Sequence, residues 1–574
     1  MIKLDLRYNR LNPEFSQLFN EIAINSRGQF TRLVDEMSEQ YSNNLDWWVE
    51  GPSSRNNLSS PLYHYFCGLH LLDLLLKNEY LISEIITDSF AYNKMIKQYL
   101  NKNNYKIRLK NENNVLISFV KKSLMFIFSF FRELYKSLYH FWCAHKTINL
   151  KAPLPDMPLI LIDVFSFPGH IDKDRYYNNL WDIIDENQKK RTFFVPTITM
   201  VKLKDLLFSY KSLRVASRNY LIKQDYLKIK DIIYALTHIF RVFKLKINPI
   251  SILGIDITRL VEEELRSTNG YNNAVEALLN YRFAKRLREK NIKLRLVIDW
   301  FENQVIDKGW NAGFNKYYPN VVSKGYRGSA PPLLYISSST PSKVELTSGV
   351  LPSIISVIGD GYINSTKEFS CSLIVEKAPA FRYKHLWNKN IIVSNSNKCT
   401  ILIALSYFIE ESVYILQLVI NALDINNTGK YSFYVSPHPT ISGETIHRRF
   451  GKNWPESFNI IAGVNKLLFS SDILISGGLS GICLESAALG IPVIVVENPF
   501  GFSCNSIPPD VPQDLWKSSR TSKDIRSSIE HFNKMTVKQK IKNRILSKTI
   551  RKEYFEPVSK DGIMKFLNLS TKKN

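Results

Sequence analysis

Residues Ser470 to Pro499 read SSDILISGGLSGICLESAALGIPVIVVENP, and this stretch decides the fold class. A short apolar run, ILIS, stops at Gly477-Gly478, and a helical pattern, ICLESAAL, follows. Gly490-Ile491-Pro492 then opens a second apolar run, VIVV. Two such runs flank a helix, each too short to be one and neither alternating with polar residues. That pattern predicts parallel strands buried on both faces. Glycine at the turn allows close backbone approach, and a helix start there offers free N–H groups and a favourable dipole to an anion. Ser476 and Ser480 can add hydroxyl donors. A plain tight turn with a helix-internal Glu485 fits the same pattern.

The alternation extends upstream. TILIALS (Thr400 to Ser406), YSFYVSPHP (Tyr431 to Pro439) and KLLFSSDILISGG (Lys466 to Gly478) read as strands, as does NIIVSN (Asn390 to Asn395). ESVYILQLVINALD (Glu411 to Asp424) reads as a helix between them, and the basic tail from Asn533 also reads as helical. A second series precedes it. LILIDVFSF (Leu159 to Phe167), FFVPTI (Phe193 to Ile198), ISILGID (Ile250 to Asp256), LRLVIDW (Leu294 to Trp300), LLYIS (Leu333 to Ser337) and IISVIGD (Ile354 to Asp360) read as strands, with a helix over Asn273 to Lys290. Residues 1–150 read as mostly helical, and Pro153, Pro155 and Pro158 mark the boundary. The expected fold class is therefore α/β, with two doubly wound parallel sheets facing a cleft and a mainly helical N-terminal region. The divisions fall at 1–150, 151–388 and 389–574. Such sheets place ligands at the carboxyl ends of their strands.

The 574 residues are 45% hydrophobic and 22% charged, an ordinary globular balance. The net charge of +24 favours an anionic partner: a membrane surface, nucleic acid or a phosphorylated substrate. A general lysine, asparagine and isoleucine bias is the plain alternative reading of the same charge. No nucleic-acid module is visible, so nucleic acid is not expected as a partner. The six cysteines form no CxxC pair, which predicts neither a zinc site nor a disulfide framework and suits a cytoplasmic protein. The N-terminus MIKLDLRYNRLNPEF has no apolar signal core, and the most apolar run, Leu124 to Phe131, falls well short of the ~20 residues a bilayer span needs. The basic aromatic stretch Lys121 to Lys146 reads either as a core helix or as one lying in a membrane interface.

Three segments carry candidate chemistry. His438-Pro439 ends a predicted strand, where a histidine can donate to a phosphate oxygen. Ser476, Gly477, Gly478, Ser480 and Glu485 complete an expected nucleotide site, with Glu485 placed to reach a ribose. DWFENQVIDKGWNAGFNKYYPNVVSKGYRG (Asp299 to Gly328) follows a strand, so Glu302, Asn303 and Gln304 are expected to project into the cleft. An acid there can take a proton from an acceptor hydroxyl or stabilise a sugar cation. Asn303, Gln304, Lys308, Trp310 and Asn311 are the expected acceptor-binding residues. Asp360 and Asp163 end other strands and follow Glu302 as candidate bases. No DxD pair suits a metal-bridged diphosphate, so no metal or other cofactor is expected.

The Ser470 to Pro499 stretch resembles the carboxy-terminal signature of GT-B glycosyltransferases: strand, Gly/Ser turn, Glu-bearing helix and Gly-x-Pro step. His438-Pro439 together with Ser476 resembles the HP and Ser motifs of bacterial sialyltransferases and Kdo transferases, in which these residues contact a CMP-linked sugar. CDP-glycerol-type polymerases have a similar His-Pro region. Asp360-Gly361 resembles the acidic-Asp-Gly motif of some sialyltransferases but lacks the preceding acid. Asp299 to Gly328 and VEKAPAFRYKHLW (Val375 to Trp387) resemble bacterial surface-carbohydrate biosynthesis proteins of O-antigen and capsule clusters. The resemblance implies a glycosyltransferase that moves a Kdo or nonulosonic acid residue from CMP to a glycan or lipid-linked acceptor. It would be cytoplasmic, with a peripheral contact on the inner membrane. An NDP-sugar or CDP-glycerol donor is the alternative, and a non-catalytic basic binding protein a third reading.

Overall fold

A computed structural model describes residues 2–113, 115–167, 169–171, 175–198, 201–387, 398–423 and 429–569. The expected strand over Asn390 to Asn395 lies outside these. Two six-stranded parallel sheets form the body of the molecule.

The N-terminal region is mainly helical, yet it also carries a parallel sheet of β1 (Ile2–Asp5), β2 (Ile82–Thr87) and β3 (Arg108–Asn111). The first large sheet holds β4 (Leu159–Ser166), β5 (Thr192–Ile198), β8 (Leu294–Trp300), β9 (Val322–Arg327), β10 (Ile354–Val357) and β11 (Val375–Lys377), in the order β11-β10-β9-β8-β4-β5. The direction of winding reverses between β4 and β8, where Ile162 pairs with Ile298. Both faces are covered, so β4 is buried along nearly its whole length, as its unbroken apolar run requires.

Two expected strands differ. ISILGID folds back on itself as the antiparallel pair β6 (Ser251–Ile252) and β7 (Ile255–Asp256), because Leu253 and Gly254 both take positive φ (52° and 70°) and reverse the chain. LLYIS follows Pro331-Pro332 and becomes a turn leading into the short helix Ile336–Ser339. Strand β9 was not expected, because its sequence VSKGYR reads as polar. Its buried Lys324 is neutralised by Glu376 at 2.7 Å.

The second large sheet holds β12 (Cys399–Ala404), β13 (Tyr431–Ser436), β14 (Phe458–Ile460), β15 (Ile473–Gly477), β16 (Val493–Val496) and β17 (Trp516–Ser519). Its order, β14-β13-β12-β15-β16-β17, reverses between β12 and β15, where Ala404 pairs with Ser476. This is the 3-2-1-4-5-6 order of nucleotide-binding doubly wound sheets, whose ligand crevice lies outside the reversal point. The two-sheet architecture expected from the sequence is therefore present.

Three connections set how the sheets face each other. The segment Phe381–Trp387 leaves the first sheet and leads toward the second. The tail packs its helix Val537–Tyr554 on the second unit, where Arg551 donates to the Ala488 carbonyl, and then returns to the first. There Glu556 N–H donates to Ile358 and the Phe566 ring meets Tyr326 at 5.3 Å. The N-terminal region braces both units. Arg55 pairs with Glu345 of the first unit at 2.5 Å. Phe502, from the loop after β16, stacks on Tyr63 at 5.1 Å. All six cysteines are free.

Candidate active site

The carboxyl ends of β4 and β8 present a carboxylate that its own strand holds in place. Trp300 ends β8, and its indole N–H donates to Glu302 Oε1 at 3.1 Å. Gln304 Nε2 donates to Glu302 Oε2 at 2.6 Å and contacts Tyr335 Oη at 3.2 Å. The Glu302 backbone N–H is held in turn by Asp307 Oδ2 at 2.9 Å. Glu302 and Gln304 are half-buried, so this carboxylate is oriented yet reachable.

Facing it are residues for which the sequence reading assigned no role. The connecting segment supplies Arg382, Tyr383 and His385, and the loop after β4 supplies Arg175 and Tyr176. Arg382 lies 6.0 Å over the Trp300 ring, and Tyr176 packs edge-on against that ring at 4.2 Å. Burial lowers the pKa of Arg382, but the nearby Tyr383, Tyr176, Glu302 and Glu485 more than offset this and raise it. Burial and the adjacent Arg382 hold Arg175 below its usual range. Among the described residues, neither guanidinium has a carboxylate within ion-pair distance. The charge of Arg382 thus disfavours the charge of Arg175, and an anion bound near Arg175 would relieve that.

The second unit closes the other side. Glu485 lies on the helix Ile482–Leu489, nearly buried, and contacts His385 Nε2 at 2.5 Å. Gly481, at the start of that helix, approaches Tyr383 Oη. His438 is half-buried at the end of β13, with Nδ1 2.7 Å from Thr440 Oγ1 and its ring edge-on to Tyr407 at 5.4 Å. Burial lowers its pKa, and the charge of Arg175 from the first unit lowers it further. Pro439 beside it is exposed. Groups from both units thus come within contact or electrostatic reach of one another: Glu302, Gln304, Arg175, Arg382, His385, Glu485 and His438.

Other expected site residues lie elsewhere. Ser476 is fully buried, and its hydroxyl donates to the Ala404 carbonyl at 2.8 Å, joining the ends of β12 and β15. Gly477 and Gly478 are approached closely, but by the protein itself: a Cβ at Gly477 would meet Glu411 at 2.6 Å, and one at Gly478 would overlap the Cys504 carbonyl. Glu411 and the loop after β16 thus pack directly on the two glycines. Ser480 stays half-buried at the helix start.

Lys308, Trp310 and Asn311 do not face the cleft. The helix Val305–Tyr317 turns them inward, so no acceptor reaches them in this structure. Lys308 pairs with Glu345 at 2.5 Å, Trp310 lies in the core of the first unit, and Asn311 donates to Asp299 at 2.7 Å. Asn303 takes φ 53° and donates inward to Ser337 and Glu345. Asp360 is a surface residue paired with Lys377 at 3.0 Å. Asp163 lies below the cleft floor, where burial pushes it up to about 7. Buried Asp299 and Asp307 share that floor and are also raised, first by burial. Among the described residues no cluster of His, Cys, Asp or Glu suits a metal ion.

No known family matches the chain in sequence. No curated protein matches it either. Solved structures resemble it at low similarity. Staphylococcus aureus MnaA, solved with UDP, is 12% identical with a TM-score of 0.42, over 73% of this chain and 99% of that one. The calicheamicin glycosyltransferase CalG4 is 12% identical with a TM-score of 0.40, over 72% and 97%. The lipopolysaccharide outer core galactosyltransferase WaaB is 12% identical with a TM-score of 0.40, over 72% and 99%. The fold assignment rests on the two strand orders, independently of these likenesses.

Proposed function

We propose that this cleft binds a nucleotide-activated sugar and transfers the sugar to an acceptor hydroxyl, making the protein a glycosyltransferase of bacterial surface polysaccharide assembly (lipopolysaccharide O-antigen or capsule). The observation that carries the reading is the Arg175–Arg382 pair. Neither guanidinium has a carboxylate within ion-pair distance among the described residues; Arg382 lies within electrostatic reach of the oriented Glu302, and Arg175 within reach of His438 from the second unit. The donor proposed is CMP-linked, of the Kdo or nonulosonic acid type, as the His438-Pro439 resemblance implies. The acceptor is a glycan or a lipid-linked glycan.

In the proposed reaction the acceptor oxygen attacks the anomeric carbon, and the bond from that carbon to the phosphate oxygen breaks. The electron pair leaves with the nucleotide, whose charge Arg175, Arg382 and His438 stabilise. The acceptor proton passes to Glu302, whose orientation by Trp300 and Gln304 suits a general base. A second reading, a nucleoside diphosphate sugar, is favoured by the number of donors: two guanidiniums and a histidine suit a diphosphate better than one phosphate diester.

Calorimetric titration with CMP, CDP, UDP, GDP and ADP tests both readings. Selective CMP binding, weakened at least tenfold in Arg382→Ala by loss of a charged hydrogen bond of about 1.5–3 kcal/mol, supports the first. Selective binding of a diphosphate moves the assignment to the second. Absence of all nucleotide binding, or equal affinity in Arg382→Ala, overturns the site.

A further inference from the structure

The helix Val115–Lys146 carries two opposed apolar faces, although a helix resting on a protein surface needs only one. The inward face is accounted for: Phe126, Phe130, Leu134 and Phe141 pack on the core of the first unit. The outward face repeats at helical spacing through Leu124, Ile127, Phe128, Phe131, Tyr135 and Trp142, each between 47% and 62% exposed. Neighbouring elements expose further large apolar side chains. Phe240 and Phe243 flank the helix on its inward side, 49% and 51% exposed, and meet Phe126 at 5.6 and 5.8 Å, and Phe208 is 73% exposed on the neighbouring helix Leu206–Val215. Single exposed apolar residues are ordinary, but six large apolar side chains repeating along one helix face mark a docking surface.

Charge identifies the occupant. The helix displays Lys122, Arg132, Lys136 and Lys146; Lys122 pairs with Glu263 at 3.2 Å, and Arg132 and Lys136 pair with the helix's one acid, the buried Glu133, at 3.0 and 3.7 Å, so the cations still outnumber the acids that face them. Arg132 lies 5.8 Å over Phe128, within the stripe itself, with its side chain 47% exposed. A second copy docked here would set these cations against one another, which disfavours association. Anionic headgroups neutralise them while the aromatic rings enter the acyl boundary. No helix of the described residues is long and apolar enough to cross a membrane, so the contact lies in the membrane plane.

We infer that this face docks on an anionic lipid bilayer. The surface adjoins the first unit's strand ends. The same helix roofs a polar cavity of about 40 Å³ at the end of β5, lined by Glu133, His140, Lys223 and Glu276. Docking in this orientation brings the first unit's crevice close to the bilayer, where a lipid-linked acceptor would be presented. That last consequence rests on the proposed function; the docking itself does not.

The test is co-sedimentation of the full chain, without nucleotide, with phosphatidylcholine vesicles with and without phosphatidylglycerol. Binding is expected with phosphatidylglycerol, weakened by salt, and at least tenfold lower in Phe128→Ser/Phe131→Ser. Arg132→Gln is expected to reduce the partition about fivefold on anionic vesicles and little on neutral ones. Both variants change exposed side chains, and unchanged circular dichroism verifies that they fold. Lack of binding to anionic vesicles, or equal binding by the double variant, overturns the inference. So does a dimer in sedimentation velocity that Phe128→Ser/Phe131→Ser converts to monomer, because a second copy would then cover this face. Nucleotide titration is a separate experiment, so failure of the glycosyltransferase reading leaves this result standing.

Discussion

Replacing Glu345 by alanine leaves two cations buried without a carboxylate in contact, with Asp35 the acid still in electrostatic reach. Arg55 Nη2 and Lys308 Nζ each lie 2.5 Å from its oxygens, with side chains 0% exposed. Burial alone would raise the Glu345 pKa, but Arg55 and Lys308 more than offset it and hold the group at about 2 against an ordinary 4.5. That displacement corresponds to about 3 kcal/mol at neutral pH. It is fully present above pH 4.5 and is lost as pH falls toward 2. Burial lowers Lys308 by more than Glu345 raises it, so the network's net worth is smaller than that figure. Breaking it costs more, because Glu345→Ala strands both charges, with an expected loss of about 3–5 kcal/mol. Urea denaturation followed by circular dichroism measures this. Lys308→Met in the Glu345→Ala background should recover part of the loss, since one stranded charge is gone. A loss below about 1 kcal/mol in Glu345→Ala, or a double variant no more stable than the single one, refutes the reasoning.

Asp163 gives the opposite pH sign. Burial raises its folded value to about 7 from an ordinary 3.8, so it destabilises the fold progressively as pH rises from 4 to 7. Asp163→Asn should flatten that fall in denaturant midpoint and be at least as stable as the parent at pH 8; a parallel fall in both proteins refutes it. Glu302→Gln keeps the size of the side chain and one of its two acceptor oxygens but removes its basicity. Transfer turnover is expected to drop by about 10²–10⁴-fold with nucleotide affinity changed less than threefold, as read by initial rates and titration. A turnover within tenfold of the parent rules Glu302 out as base.

The sequence alone determined the architecture because parallel strands buried on both faces leave an unmistakable record: unbroken apolar runs such as Leu159–Ser166 and Ile473–Gly477, separated by helices. It also determined that Glu302 would stand at a strand end and that Glu485 would lie one turn into a helix, since both follow from local position. Where local composition was ambiguous, the reading failed at identifiable residues. VSKGYR looked like a loop because its lysine is paired by Glu376, 52 positions away. ISILGID looked like a strand because Leu253 does not announce a positive φ. The roles of Ser476, Gly477 and Gly478 were decided by distant chain: Ala404, Glu411 and Cys504 take the space and the hydrogen bonds that the turn offers. Lys308, Trp310 and Asn311 were assigned outward by proximity to Glu302, yet the helix phase turns them inward toward Glu345, the core and Asp299. The guanidinium pair could not be read at all. Arg175 and Arg382 lie 207 residues apart in sequence and come within electrostatic reach only when the connecting segment folds back over the first sheet. Strand and helix assignments follow from short-range periodicity; a binding site assembled from several strand ends depends on long-range packing, and only the tertiary structure decides it.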